Sequence, residues 1–121
     1  MRLRAHFEAH GIAAEWERDF IDVRWEHAGQ TWIGEVKLTQ YLTAAEAFRA
    51  ALGQLLVYGA IQFTEPPRMV MFLDQSPGEP LLRLAERLGV AVVVETSLGI
   101  FELQSTPMDS ELTRMFPAQN L

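Results

Sequence analysis

The chain contains no cysteine. Disulfides and thiolate metal sites are therefore excluded, and the protein is indifferent to the redox poise of its compartment. Lysine is almost missing too: of ten basic residues nine are arginine and only Lys37 is not. No apolar run is long enough to cross a bilayer. The start, Met1-Arg-Leu-Arg-Ala-His6, lacks the unbroken apolar stretch of a secretion signal. These absences leave a cytoplasmic location as the expectation, with no membrane partner. Neither a glycine-rich phosphate loop nor a serine nucleophile elbow occurs, and we find no internal repeat or low-complexity segment.

What is present suits one globular domain. The 121 residues are 49% apolar and 21% charged, enough to bury a single core. We expect one domain over residues 1–121, with its core in 1–103 and a tail at 104–121. The net charge of −6 runs against a surface that grips phosphates, which is normally basic. Two features offset it. Divalent cations bound to carboxylates reverse the local sign, and Arg2, Arg4, Arg18, Arg24 and Arg49 all fall in the first half.

Hydrophobic periodicity lays out the elements. Residues 3–10 suit a short helix stopped by Gly11, and 12–17 suit either a short strand or a loop. Residues 19–27 alternate, with Ile21, Val23 and Trp25 on one face and Asp22, Arg24 and Glu26 on the other. Ala28-Gly-Gln30 reads as a hairpin turn into a strand over 31–37. Thr43-Ala-Ala-Glu46 is a capping box opening a helix to about residue 62, closed off by Pro66-Pro67. Apolar runs at 69–73 and 90–94 read as strands covered on both faces, separated by an amphipathic helix over 79–88. A last strand over 100–103 precedes a tail with about one helical turn near 109–115. The order is helix, strand hairpin, helix, strand, helix, strand pair: a mixed α/β domain with one sheet.

Chemistry concentrates on the hairpin. Glu35 and Lys37 share a strand face because side chains repeat every two residues, while Val36 between them faces the other layer. A turn at Gly29-Gln30 sets Asp22 opposite Lys37; a turn at Ala28-Gly29 sets it opposite Glu35. Either places Asp22 beside both, and a three-residue loop without a bulge would move it to the wrong face. Two carboxylates held so suit Mg²⁺ or Mn²⁺, with the Val36 backbone carbonyl as a further oxygen ligand. The lone lysine fits the same patch, since a compact ammonium does what a forked guanidinium does not. A solvated Glu–Lys pair on a strand is the plain alternative.

The next helix adds weight. Gln54 and Tyr58 stand four apart on one helical face beside Ala47, Ala50 and Ala51, small residues that let the helix approach the sheet. Buried amide and phenol groups need partners, and the Asp22, Glu35 and Lys37 cluster would supply them.

Asp22, Glu35-Val-Lys37 and the helix Ala51-Leu-Gly-Gln54-Leu-Leu-Val-Tyr58 together resemble the PD-(D/E)XK nuclease superfamily. The nearest likeness is to its RecB-like members with a Q-x-x-x-Y helix. The likeness is close over residues 20–58 and extends over 1–103 in element order. It implies a restriction-endonuclease-like αβββαβ core, a mixed sheet flanked by helices, and metal-dependent phosphodiester hydrolysis, of DNA before RNA. By the same resemblance Asp22 and Glu35 are metal ligands and Lys37 the catalytic lysine. Gln54 and Tyr58 assist with Arg49 in holding substrate, and Glu8 on the first helix is a candidate extra ligand. Ile21 stands where the family's proline would be. Inactive members exist, so the alternative is a nucleic-acid-binding or interaction module working as a subunit. Relatives often work as homodimers or with larger protein partners.

Other residues are read more plainly. His6 and His10 have metal-gripping spacing but no third ligand, and are expected to be exposed or capping. His27 is expected to be solvated. Trp25 and Trp32 are expected in the core, and Trp16 at a place where it could pack or stack on a base.

Overall fold

A computed structural model describes residues 1–18, 21–106 and 110–118. The expected strand start at residue 19 and helix start at 109 lie outside the described residues, as does the Arg18 side chain. The elements run α1 (Leu3–Ala9), β1 (Ala14–Arg18), β2 (Ile21–His27), β3 (Gln30–Lys37), α2 (Ala44–Ile61), β4 (Arg68–Leu73), α3 (Glu79–Arg87), β5 (Val90–Ser97), β6 (Ile100–Ser105) and α4 (Ser110–Met115). The ambiguous stretch before residue 18 is thus a strand.

All six strands form one mixed sheet in chain order. The β1/β2, β2/β3 and β5/β6 pairs are antiparallel, while β3/β4 and β4/β5 are parallel. The parallel strands need helical crossovers, which α2 and α3 provide. This explains why β4 and β5 read as unbroken apolar runs: both of their faces are covered. The fold is a mixed α+β sheet flanked by helices. No helix among the described residues is long and apolar enough to cross a membrane.

Each sheet face has its own core. Under α1 and α4 the packing is aromatic: Phe7, Trp25, Trp32, Phe72, Phe101 and Phe116 are buried there. Under α2 and α3 it is aliphatic, built from Ile33, Ala51, Leu55, Met71 and the β5 valines 90, 92 and 94. Local chemistry sets the boundaries. The Thr43 hydroxyl accepts from the Glu46 amide and the Glu46 carboxylate from the Thr43 amide, each at 3.1 Å, so the capping box forms and starts α2.

Two expectations need correcting. The core does not end at residue 103: β6 runs to Ser105, and Leu112, Met115 and Phe116 complete the aromatic side. Their i, i+3, i+4 spacing was a legible helical stripe, masked by the prolines around it. Nor is His27 simply solvated. It is half-buried, and its Nε2 lies 2.8 Å from Glu111 Oε2, tying the hairpin to α4.

Candidate functional site

The hairpin turn settles which register holds. Ala28 and Gly29 have φ of 53° and 74°, the paired positive angles of a two-residue type I′ turn. His27 therefore faces Gln30, and the ladder continues through Trp25–Trp32 to Val23–Gly34. One further step sets Asp22 opposite Glu35, the second of the two sequence-based registers. Gly34 is fitted to its place. A Cβ there would lie 2.6 Å from Phe72 Cε2 and 2.7 Å from Val23 Cγ1, so those two side chains meet over it.

Past Val23–Gly34 the strands part. The β1 ladder pairs Trp16 with Val23 and Arg18 with Ile21, stepping over Glu17 and Asp22. Glu17 has φ of 52°, a left-handed angle that local twist exploits. The strict alternation expected for β2 fails at this point: Val23 and Trp25 sit in the aromatic core, whereas Ile21 sits in the aliphatic one. Asp22 is consequently not a plain member of the α2-side face. Its Oδ2 accepts a hydrogen bond of 2.8 Å from the Val36 amide, in the slot between β2 and β3. In an antiparallel ladder one residue's N–H and C=O point to the same neighbour. The Val36 carbonyl therefore also projects toward the β2 side of the slot.

Glu35 lies on the α2 side and is only 2% exposed. Its Oε1 is buried with no hydrogen-bond partner. Burial, then the neighbouring Asp22 charge and hydrogen bonding to Asp22, push its carboxyl up to about 8, while the Lys37 charge pulls the other way. Lys37 is half-buried on the same strand face and makes no hydrogen bond or ion pair among the described residues. Just above it, the Thr39 amide donates to Asp74 Oδ1 at 3.0 Å, pinning the chain that leaves β3 to the end of β4. Sequence reading had missed Asp74; its position directly after the β4 apolar run was the available signal.

The α2 residues can be placed by level. Gly59 packs on Met69 and Pro67, 3.6 Å from each if it carried a Cβ, and Met69 pairs with Ile33. From that level, two strand residues reach Glu35 and five helical residues reach Gln54, rises of about 6.6 and 7.5 Å. By height along the sheet Gln54 thus comes level with Glu35. Gln54 Oε1, like Glu35 Oε1, is buried without a hydrogen-bond partner. Gln54, Tyr58 and Arg49 line one shallow groove along α2 with Ala50, Gly53 and Val57.

The remaining candidates separate. Glu8 is exposed on α1 and lies outside the concavity that Asp22 lines, whose α1 wall is Leu3 and Arg4. His6 does not reach for a metal with His10: its Nε2 is 2.8 Å from the Met115 carbonyl, and it stacks on Phe116. No group of three or more histidine or acidic side chains that could hold a metal occurs among the described residues. The pair Asp22 and Glu35 with one carbonyl is a smaller donor set. No protein-family model, no curated protein and no solved structure matches the chain.

Proposed function

We propose that this protein is a Mg²⁺- or Mn²⁺-dependent nuclease of the PD-(D/E)XK type, hydrolysing phosphodiester bonds of DNA. The observation that carries the reading is Glu35: a buried acid, held protonated near neutrality by its burial and then by the facing Asp22, with one oxygen unpartnered. Buried polar atoms are ordinarily satisfied, and two acids in contact are ordinarily relieved by a cation or a proton. The order α1-β1-β2-β3-α2-β4 agrees with the αβββαβ core of restriction-endonuclease-like proteins.

The donors fit a hard cation: two carboxylates from diverging strands and the Val36 carbonyl between them, all oxygen. When bound, the cation supplies Lewis-acid polarisation of a phosphate and a lowered pKa for water. The chain's own residues do the rest. Asp22 is fixed by the Val36 amide through Oδ2 and hydrogen-bonds with the Glu35 carboxyl. The Lys37 ammonium stands one strand repeat from Glu35, where it favours the ionised carboxylate and steadies charge developing on the phosphate. Gln54, level with Glu35, supplies an amide to orient a phosphate oxygen or water; Arg49 and Tyr58 extend the contact along α2.

The test is cleavage of circular and linear DNA with and without Mn²⁺. Lys37→Ala is expected to keep the fold and lose metal-dependent cutting. Wild-type protein that binds Mn²⁺ yet leaves both DNA and RNA intact would overturn the assignment. One observation favours the second reading, an inactive interaction module: between Arg49 and Glu65 the helix carries no charge, and Leu56, Val57 and Ile61 are exposed. Calorimetry separates the two, because a vestigial site gives no Mn²⁺ binding that depends on Asp22 and Glu35.

A further inference from the structure

On the α1 side, the slot that holds Asp22 opens into a concavity lined by Leu3, Arg4, Trp16, Glu17, Asp22 and Val36. Trp16 differs from the other two tryptophans. Trp25 and Trp32 are each 2% exposed inside the aromatic core, whereas Trp16 is half-exposed on the edge strand β1. Its ring leans on Phe7 from one side, with centroids 5.6 Å apart. Partly packed against the aromatic core, the ring also carries the guanidinium of exposed Arg4, 5.3 Å from the centroid. Trp16 also pairs across the ladder with Val23, the residue beside Asp22. A flat aromatic plate, a movable cation and a metal-binding carboxylate therefore share one opening.

We infer that this concavity is a nucleobase-stacking subsite and that the substrate enters the slot as an unpaired strand. The inference rests on the nuclease reading and specifies its substrate. A base stacks on indole more strongly than an exposed guanidinium does, so an incoming base displaces Arg4 and frees it to meet the adjoining phosphate. Only an unpaired or frayed base has a free π-face to offer, since the bases of a duplex are stacked on one another. Glu17 and Asp22 are the acidic groups in the opening, and their charge makes phosphate entry depend on a divalent cation.

The experiment titrates a twelve-residue oligothymidylate into the full chain with Ca²⁺ as the cation, reading tryptophan fluorescence. Because Trp16 is the half-exposed indole, its quenching reports stacking. Trp16→Leu is expected to weaken binding about tenfold or more, Trp16→Phe to restore much of it, and Arg4→Gln to lower the salt slope by about one counterion. A blunt duplex, an abasic oligomer of the same length and thymidine monophosphate serve as comparison ligands. Stronger binding of the thymidylate strand than of the duplex or the abasic strand supports the subsite. Equal binding by Trp16→Leu, or equal quenching by the duplex, overturns it. Cleavage assays in parallel keep the two ideas apart. DNA cutting with Trp16-independent binding removes the subsite alone, whereas Trp16-dependent binding without cutting supports the subsite and removes the nuclease reading.

Discussion

The two ends of the β2–β3 hairpin are built oppositely. At the closed end, the Ala28-Gly29 turn fixes the pairing, and rungs continue without a slip from His27–Gln30 to Val23–Gly34. At the open end the rungs stop, a carboxylate takes the Val36 amide that a strand neighbour would otherwise receive, and two acids meet in the gap. Order at one end is what makes disorder of pairing useful at the other. A one-residue slip in the pairing register would turn Asp22 to the other face from Glu35.

Asp22→Asn breaks the open end hardest. The amide oxygen still accepts from Val36, so circular dichroism should be unchanged. Mn²⁺ binding heat should vanish, and metal-dependent cleavage should fall by at least about 100-fold. An unaltered cleavage rate would remove Asp22 from the site.

Glu35 makes the same end sensitive to pH. Its folded carboxyl titrates near 8 against an ordinary value of 4.5, so the folded chain holds the proton more tightly than the unfolded one. The associated stability is complete below about 4.5 and is lost as pH rises through about 8. In EDTA, urea denaturation between pH 5 and 8 should show stability declining by up to about 1.4 kcal/mol per pH unit. Glu35→Gln should flatten the profile and Mn²⁺ should oppose the decline. A level profile for the wild type would contradict a buried protonated acid.

Gly34→Ala tests the last rung before the gap. The new methyl must move both Phe72 and Val23 within a packed aromatic core, at a cost of about 1–3 kcal/mol. Thermal denaturation measures it; a loss near zero would mean the core gives way freely. The smallest effect belongs to the closed end. Ala28→Asn puts a residue that tolerates positive φ at 53°, and should raise stability by about 0.5–1 kcal/mol without changing Mn²⁺ binding.

Much of the frame was legible because it rests on periodicity. The apolar runs of β4 and β5, the capping box of α2 and the alternation of β3 each map one pattern onto one element. The site was legible as far as Glu35 and Lys37, which share a strand face by period alone. Asp22 was harder. Its place depends on a backbone irregularity at Glu17, a residue with no compositional sign of a left-handed angle. The choice between two turns was also hidden, since alanine disfavours the angle that Ala28 adopts. Gln54, Tyr58 and Arg49 share one groove along α2, but Asp22, Glu35 and Lys37 do not line it, and the expected hydrogen bonds from Gln54 to the acids are not made; levels along a helix follow from packing at Gly59, which no spacing rule reports.

The short helix α4 has a consequence for how the chain matures. Leu112, Met115 and Phe116 close the aromatic core, and α4 is tied down by His6 at the Met115 carbonyl and by His27 at Glu111. All six strands precede α4 in the chain, so the sheet can assemble while that face has only α1 as cover. A chain cut back to residue 105 keeps every strand, yet it would bare part of the surface of Trp25, Phe72 and Phe101 that Leu112, Met115 and Phe116 otherwise cover.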